Sequence, residues 1–112
     1  MKQDTSLPIV LFNGTIATTN GIYSIQDINV ESAKKLMAEK GVISAIGHKA
    51  TAEILTDILE QPIPMNRIEF HQQVGQIAIV LKLNIRPEEG VILSKEEVDK
   101  IGYCLKIMVR LE

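Results

Sequence analysis

The segment LPIVLFNG, residues 7–14, contains the apolar run that decides the fold. A short continuous apolar run bounded by turn residues indicates a strand that is buried in a sheet. We therefore predict a buried strand from Leu7 to Phe12. Asn13 and Gly14 form a turn signal, which predicts that the strand ends there. The remaining elements are interpreted outward from this strand.

The segments that follow predict a second strand and two helices. Residues 21–28, GIYSIQDI, alternate in polarity and indicate a short strand. Asn29 is a typical helix N-cap and Gly41 a typical residue just past a helix end, so a helix is predicted over residues 30–40. A second helix is predicted over about residues 49–60, and it ends at the proline-containing PIPMN. Its apolar residues recur at helical spacing: Ala50, Ile54, Leu55, Ile58 and Leu59.

The second half of the chain predicts further strands and a third helix. RIEF, residues 67–70, and QIAIVLKLNI, residues 76–85, flank HQQVG, a pattern that favours a β-hairpin. Ser94 and Glu97 form a capping box at the start of a helix. YCLKIMVRL, residues 103–111, indicates a closing strand.

The predicted order is strand, strand, helix, helix, strand, strand, helix, strand. It favours an α+β fold, in which a single mixed sheet of about five strands has about three helices packed on it. The 112 residues are close to the commonest domain size, so we expect one domain over residues 1–112.

The charge balance limits the classes of ligand. Twelve basic and fourteen acidic residues give a net charge of −2. Proteins that bind long nucleic acid independently of sequence are normally basic, so this function is disfavoured. A small anion bound by a few local arginines or lysines remains compatible with the composition.

Cysteine and histidine usage argues against a metal site and a disulfide. The single cysteine, Cys104, cannot form an internal disulfide, and we expect it to pack as a small apolar side chain in a cytoplasmic protein. The two histidines, His48 and His71, show no ligand spacing with Cys104, so we expect no metal and no cofactor. We also expect no signal peptide and no membrane-spanning helix.

His48 has two interpretations from the residues alone. It lies in SAIGHKAT, at the amino end of the second predicted helix. A polar residue there commonly satisfies a free backbone group. A histidine can also act as a general acid or base, because its imidazole titrates near neutral pH.

Other polar residues lie where predicted strands end. Arg67 begins the RIEF strand and Arg86 follows the QIAIVLKLNI strand. Each is either a solvated arginine or a phosphate contact, for which the planar guanidinium is well suited. Glu88 and Glu89 have two interpretations. They form a plain acidic turn, or one of them orients an arginine or a hydroxyl. The loop FNGTIATTNG, residues 12–21, is a plain connection or a backbone cradle for an anion.

Four motifs occur together in this chain in a fixed order: IVLFNGTIAT, AIGHKATAEIL, MNRIEF and IRPEEGVIL. In combination they resemble the viral ring nucleases, which are anti-CRISPR proteins of archaeal viruses, phages and integrated elements directed against type III systems. The resemblance extends over roughly Ile9 to Leu111. It implies a homodimer that binds cyclic tetraadenylate across its two-fold axis. It also implies cleavage without metal, giving linear adenylates that end in a 2′,3′-cyclic phosphate.

The resemblance assigns roles to particular residues. The family's catalytic histidine falls on His48, its strand-end arginine on Arg86, and the following acid on Glu89. Its substrate-binding arginine falls on Arg67. The first-loop contacts fall on Asn13, Gly14, Thr15 and Ile16, where Ile16 is expected to contribute a backbone contact. The alternative is a module that binds a cyclic nucleotide, DNA or a protein without cutting it.

Overall fold

The computed structural model describes residues 7–13, 20–83 and 95–112. The elements in chain order are β1 Ile9–Asn13, β2 Tyr23–Ile28, α1 Val30–Lys40, β3 Val42–Ser44, α2 Lys49–Leu59, β4 Ile77–Leu83, α3 Lys95–Ile101 and β5 Tyr103–Arg110. The five strands form one sheet in the order β2-β5-β4-β1-β3. The prediction of a mixed α+β fold with about five strands in a single sheet is confirmed. The two long helices have eleven residues each, and α3 has seven.

Strand β1 lies inside the sheet, with β3 on one side and β4 on the other. It runs parallel to both neighbours, whereas β5 is antiparallel to β4 and to β2. The apolar run Ile9–Phe12 is buried, and Asn13 at the end of the strand is exposed. The buried strand predicted from LPIVLFNG is therefore confirmed, and its bounds shift by a residue or two.

The two long helices follow their local signals. The Asn29 side chain accepts a hydrogen bond from the Ser32 amide at 2.7 Å, and Gly41 ends α1 with a φ of 78°. A positive φ of this size favours glycine. Helix α2 buries the predicted Ile54, Leu55, Ile58 and Leu59, together with Ala52 in place of Ala50. The predicted capping box of α3 depends on Ser94, which lies outside the described residues.

Both faces of the sheet are packed, but by different parts of the chain. One face carries Ile9, Leu11, Ile79 and Leu81 against the buried residues of α1 and α2. Alternate strand residues point to opposite faces. Accordingly, the second face carries a smaller cluster onto which Phe70 packs: Val10, Phe12, Ala78, Val80 and Met108. None of the helices in the described parts of the chain is long and apolar enough to span a bilayer.

The predicted RIEF hairpin is wrong. Residues 62–73 contain no strand, and the sheet instead gains β3, which the sequence analysis did not predict. Arg67, Ile68 and Glu69 are all exposed, so RIEF presents no alternating buried face to a sheet. The backbone of this region forms hydrogen bonds with the loop after β3, as at Asn66, whose amide donates to the Ile46 carbonyl at 2.8 Å.

Candidate functional site

The parallel strands β3, β1 and β4 end at the same edge of the sheet. Leu11 pairs with Ser44, and Asn13 pairs with Leu81 two residues before the end of β4. We call this the carboxyl edge, because the carboxyl ends of all three strands meet there. Ligands of open α/β sheets bind outside the carboxyl ends of the strands. This edge is therefore where a ligand is expected.

Asn13 is the predicted first-loop residue that the structure describes. It is exposed and ends β1 at the carboxyl edge. By strand alternation it shares a face with Ile9 and Leu11, the face on which α2 packs. Its side chain and the amino end of α2 therefore lie on the same face of the sheet, near the carboxyl edge.

His48 is the N-cap residue of α2. Its backbone is extended, with φ −129° and ψ 130°, and its carbonyl accepts the first helical hydrogen bond from the Ala52 amide at 3.1 Å. Its side chain makes no capping hydrogen bond and is exposed. The helix-entry position is thus confirmed, but the imidazole does not satisfy a backbone group of the helix. A ring that is exposed and unused by the helix is available to a ligand.

The Arg67 side chain reaches the residue before His48. Its Nε and one Nη donate to the Gly47 carbonyl oxygen at 3.1 Å and 2.9 Å. The guanidinium has five N–H groups, so these two bonds leave donors for a further acceptor. The structure therefore brings together two residues that the sequence placed in separate motifs.

The loop from Ser44 to Gly47 is bonded to the segment from Pro64 to Arg67. Asn66 donates through its side-chain amide to the Ser44 carbonyl at 2.7 Å. The Ser44 hydroxyl donates to the Pro64 carbonyl at 2.7 Å and accepts from the Ile46 amide at 3.3 Å. Ser44 and Asn66 were not predicted as residues of the site. The MNRIEF motif contains Asn66, but nothing local indicates what its amide contacts.

His71 has a different setting from His48. It is exposed, and its Nε2 lies 3.6 Å from a Glu69 carboxylate oxygen. The neighbouring Gln72 donates to the Met108 and Gln76 carbonyls near the amino end of β4. His71 therefore lies by the edge opposite to His48.

The described ion pairs do not include the candidate site residues. Lys34 pairs with Glu60, and Lys106 pairs with Asp27. The hydrogen bond from Lys106, followed by its charge, lowers the pKa of Asp27, and the same hydrogen bond raises the pKa of Lys106. In the described ranges no three of the histidines, cysteines and acidic residues are grouped as metal ligands. Gly14, Thr15, Ile16, Arg86 and Glu89 lie outside the described residues, so their assignments stay predictions.

The fold and this edge define a small mixed α/β protein with an exposed histidine and a bonded arginine at the carboxyl ends of its parallel strands. The chain belongs to the STIV B116-like family, whose family model matches residues 9–105. This confirms the expected likeness to proteins of archaeal viruses at the level of the family.

Several relatives come from viruses of archaea. The chain is 43% identical over 79 residues to uncharacterized protein 26 of Sulfolobus islandicus filamentous virus, covering 70% of this chain and 67% of that protein. It is 34% identical over 93 residues to uncharacterized protein ORF117 of Acidianus two-tailed virus, covering 80% of each. A bacterial relative, uncharacterized protein YddF of Bacillus subtilis, is 30% identical over 108 residues, which is 95% of this chain and 100% of YddF.

A solved structure shares the fold. B116 of Sulfolobus turreted icosahedral virus superposes with a TM-score of 0.74 at 23% identity, covering 92% of this chain and 99% of B116. At that identity the likeness establishes the architecture.

Proposed function

We propose that this protein is a metal-independent ring nuclease that cleaves cyclic tetraadenylate and thereby antagonises type III CRISPR defence. Its products are linear adenylates that end in a 2′,3′-cyclic phosphate. His48 donates a proton, Arg86 stabilises charge, and Glu89 orients Arg86 or the attacking hydroxyl. Arg67 and the first loop, Asn13 to Ile16, bind the substrate.

The observation that carries this proposal is the meeting of His48 and Arg67 at the carboxyl edge. The exposed His48 follows Gly47 directly, and the Arg67 guanidinium is bonded to the Gly47 carbonyl. The chain also leaves this edge at Asn13 into the first loop, and at Leu83 into the segment that holds Arg86. An imidazole and a guanidinium thus lie at the edge from which the first-loop segment and the Arg86 segment begin, in an otherwise slightly acidic chain.

The chemistry needs few protein groups, because RNA supplies its own nucleophile. A ribose 2′-hydroxyl attacks the adjacent phosphorus, the bond from phosphorus to the 5′-oxygen breaks, and the 2′-hydroxyl proton passes to solvent water. The protein must align the attack, stabilise the phosphoryl oxygens and protonate the departing 5′-oxygen. Arg86 suits the second task and His48 the third. No metal or cofactor takes part in these steps.

The symmetry of the substrate favours a two-fold homodimer. A ring of four identical nucleotides contains a two-fold axis, and a two-fold dimer presents each site residue twice. Two His48 residues facing one cavity would then serve equivalent phosphates of the ring. The dimer is therefore part of the proposal.

The test is incubation of the protein with cyclic tetraadenylate in EDTA, followed by chromatography of the products. The expected result is linear adenylates carrying a 2′,3′-cyclic phosphate, formed at an unchanged rate when EDTA is present. An intact ring that nevertheless binds would identify a binding module and contradict catalysis. An intact ring that does not bind would contradict the proposal as a whole.

A further inference from the structure

We infer that Asn66 is a positioning residue for His48, acting through the loop that leads into α2. The inference rests on the proposed function, because it concerns how the proton donor is held. Asn66 itself is expected to touch neither the ring nor the reacting atoms. Its effect on cleavage passes through the backbone of residues 44–48.

On one side, the loop that leads into α2 is bonded to the segment from Pro64 to Arg67. The Asn66 side chain donates to the Ser44 carbonyl at 2.7 Å, and the Asn66 backbone amide donates to the Ile46 carbonyl at 2.8 Å. One residue thus donates to two carbonyls, that of the last residue of β3 and that of Ile46 in the loop after it. The Ser44 hydroxyl bonds the same two segments through the Pro64 carbonyl at 2.7 Å.

On its opposite side, the loop is bonded to β1 and packed into the core. The Ala45 amide donates to the Leu11 carbonyl of β1 at 3.0 Å, which continues the β1–β3 pairing past the end of β3. The Ile46 side chain is fully buried in the core beneath the helices. The loop is therefore held by hydrogen bonds to β1 and to Asn66 and by the burial of Ile46 in the core.

The loop backbone and the His48 ring differ in their hydrogen bonds. Each residue from Ser44 to Gly47 has at least one backbone group in a hydrogen bond with a neighbouring segment or side chain. The imidazole of His48, by contrast, is exposed and makes no capping bond. Within the described parts of the chain, the position of the ring is consequently set by the backbone that leads to it. Removal of the Asn66 amide frees the Ser44 carbonyl and loosens this backbone.

The expected kinetic effect is a loss of rate without a loss of affinity. A misplacement of about 1 Å in a catalytic group can cost about 10²-fold in rate. Asn66→Ala should therefore lower the single-turnover cleavage rate by about ten-fold or more. Ring affinity should change by less than about two-fold, since Asn66 does not contact the ring.

Gln76→Ala is the matched control. Like Asn66, Gln76 bonds backbone groups through its side-chain amide, donating to the Pro8 carbonyl at 3.1 Å and accepting from the Gln73 amide at 3.0 Å; it is buried, whereas Asn66 is half-buried. It precedes β4 and thus lies at the edge opposite to His48. Its loss should lower stability while leaving the cleavage rate of the folded protein unchanged. Equal rate losses in Asn66→Ala and Gln76→Ala would overturn the inference, because they would reveal a general effect of weakened folding.

The decisive measurement combines Asn66→Ala with His48→Ala. If Asn66 acts through His48, the double variant cuts at the rate of His48→Ala alone. Multiplication of the two losses would overturn the inference, since Asn66 would then act on the reaction independently of His48. If Asn66→Ala does not fold, Ser44→Ala takes its place in the same cycle, because it removes the hydroxyl bonds between the same two segments.

A measurement without substrate separates this inference from the proposed function. Amide ¹⁵N relaxation should show greater mobility of Gly47 and His48 in Asn66→Ala than in the parent or in Gln76→Ala. Unchanged mobility would overturn the positioning role even in an active ring nuclease. If mobility increased in Asn66→Ala but the parent protein never cut the ring, the result would support the role of Asn66 in holding the loop. It would contradict only the proposed function.

Discussion

Replacement of Arg67 by alanine separates a ligand contact from a structural one. The side chain is exposed and makes two hydrogen bonds to one neutral carbonyl, that of Gly47. A hydrogen bond from a charged donor contributes about 1.5–3 kcal/mol when it is shielded from water, and solvent exposure of the guanidinium lowers that value because water can replace the lost bonds. We expect Arg67→Ala to reduce the free energy of unfolding by less than about 1.5 kcal/mol, measured by urea denaturation.

The expected effect on ring binding is larger. A hydrogen bond from a charged donor is worth about 1.5–3 kcal/mol, and each 1.4 kcal/mol is about ten-fold in affinity. Arg67→Ala should therefore weaken the binding of cyclic tetraadenylate by about ten-fold or more. Calorimetric titration in a His48→Ala background measures this affinity without cleavage of the ring.

Arg110→Ala is the control for this titration. Like Arg67, Arg110 makes two hydrogen bonds to backbone oxygens, in this case those of Gln72 at 2.6 Å and Glu112 at 3.2 Å, but it ends β5 at the edge opposite to His48. Its loss should leave ring affinity unchanged. If Arg67→Ala bound the ring as tightly as the parent, Arg67 would be a structural residue only and the site would be misplaced.

Three further predictions concern other parts of the account. Sedimentation at micromolar concentration should show a dimer, and a monomer alone would argue strongly against a shared cavity. Arg86→Ala should slow the cleavage of bound ring under single turnover, and an unchanged rate would remove Arg86 from the mechanism. Lys106→Met should raise the pKa of Asp27 toward its ordinary value in an NMR titration, because Lys106 is what lowers it. The stability contributed by this pair is present above the pKa of an unfolded aspartate, about 3.9, and is lost as the pH falls through the lower pKa of the folded state. If the pKa of Asp27 did not move in Lys106→Met, Lys106 would not be the cause of its lowering.

Local signals were sufficient for the elements whose ends are determined by neighbouring residues. Asn29 and Gly41 determine the two ends of α1, and the apolar run of β1 needs no distant information to be recognised as buried. The mixed sheet followed from the order of these elements. Helix α3 was also predicted, although its cap rests on Ser94, outside the described residues.

Long-range pairing accounts for the elements that were mispredicted. Strand β3 has three residues, and it exists because Val42, Ile43 and Ser44 align with Ile9, Val10 and Leu11. RIEF has strand-like composition, but the backbone before it is already bonded to the loop after β3. Neither fact can be read from a window of neighbouring residues.

The candidate site was predictable as separate motifs but not as an arrangement. His48 and Arg67 were each identified from the sequence, whereas the bonds from Arg67 to Gly47 depend on the tertiary fold. The same holds for Asn66, whose contribution depends on a carbonyl twenty-two residues earlier in the chain. A resemblance in sequence can name a catalytic histidine, but the residues that position it require coordinates.

The most direct test of the central claim is the single-turnover cleavage of cyclic tetraadenylate by His48→Ala, with His71→Ala as the control. General acids typically contribute about 10²–10⁴-fold, and a 5′-alkoxide is a poor leaving group without a proton. Single turnover is required because slow product release can hide the chemical step. We expect His48→Ala to fold by circular dichroism, to dimerise and to bind the ring, yet to cut it at least about a hundred-fold more slowly. His71→Ala should cut at the parent rate. A folded His48→Ala that cuts at nearly the parent rate, or an inactive His71→Ala, would contradict the account.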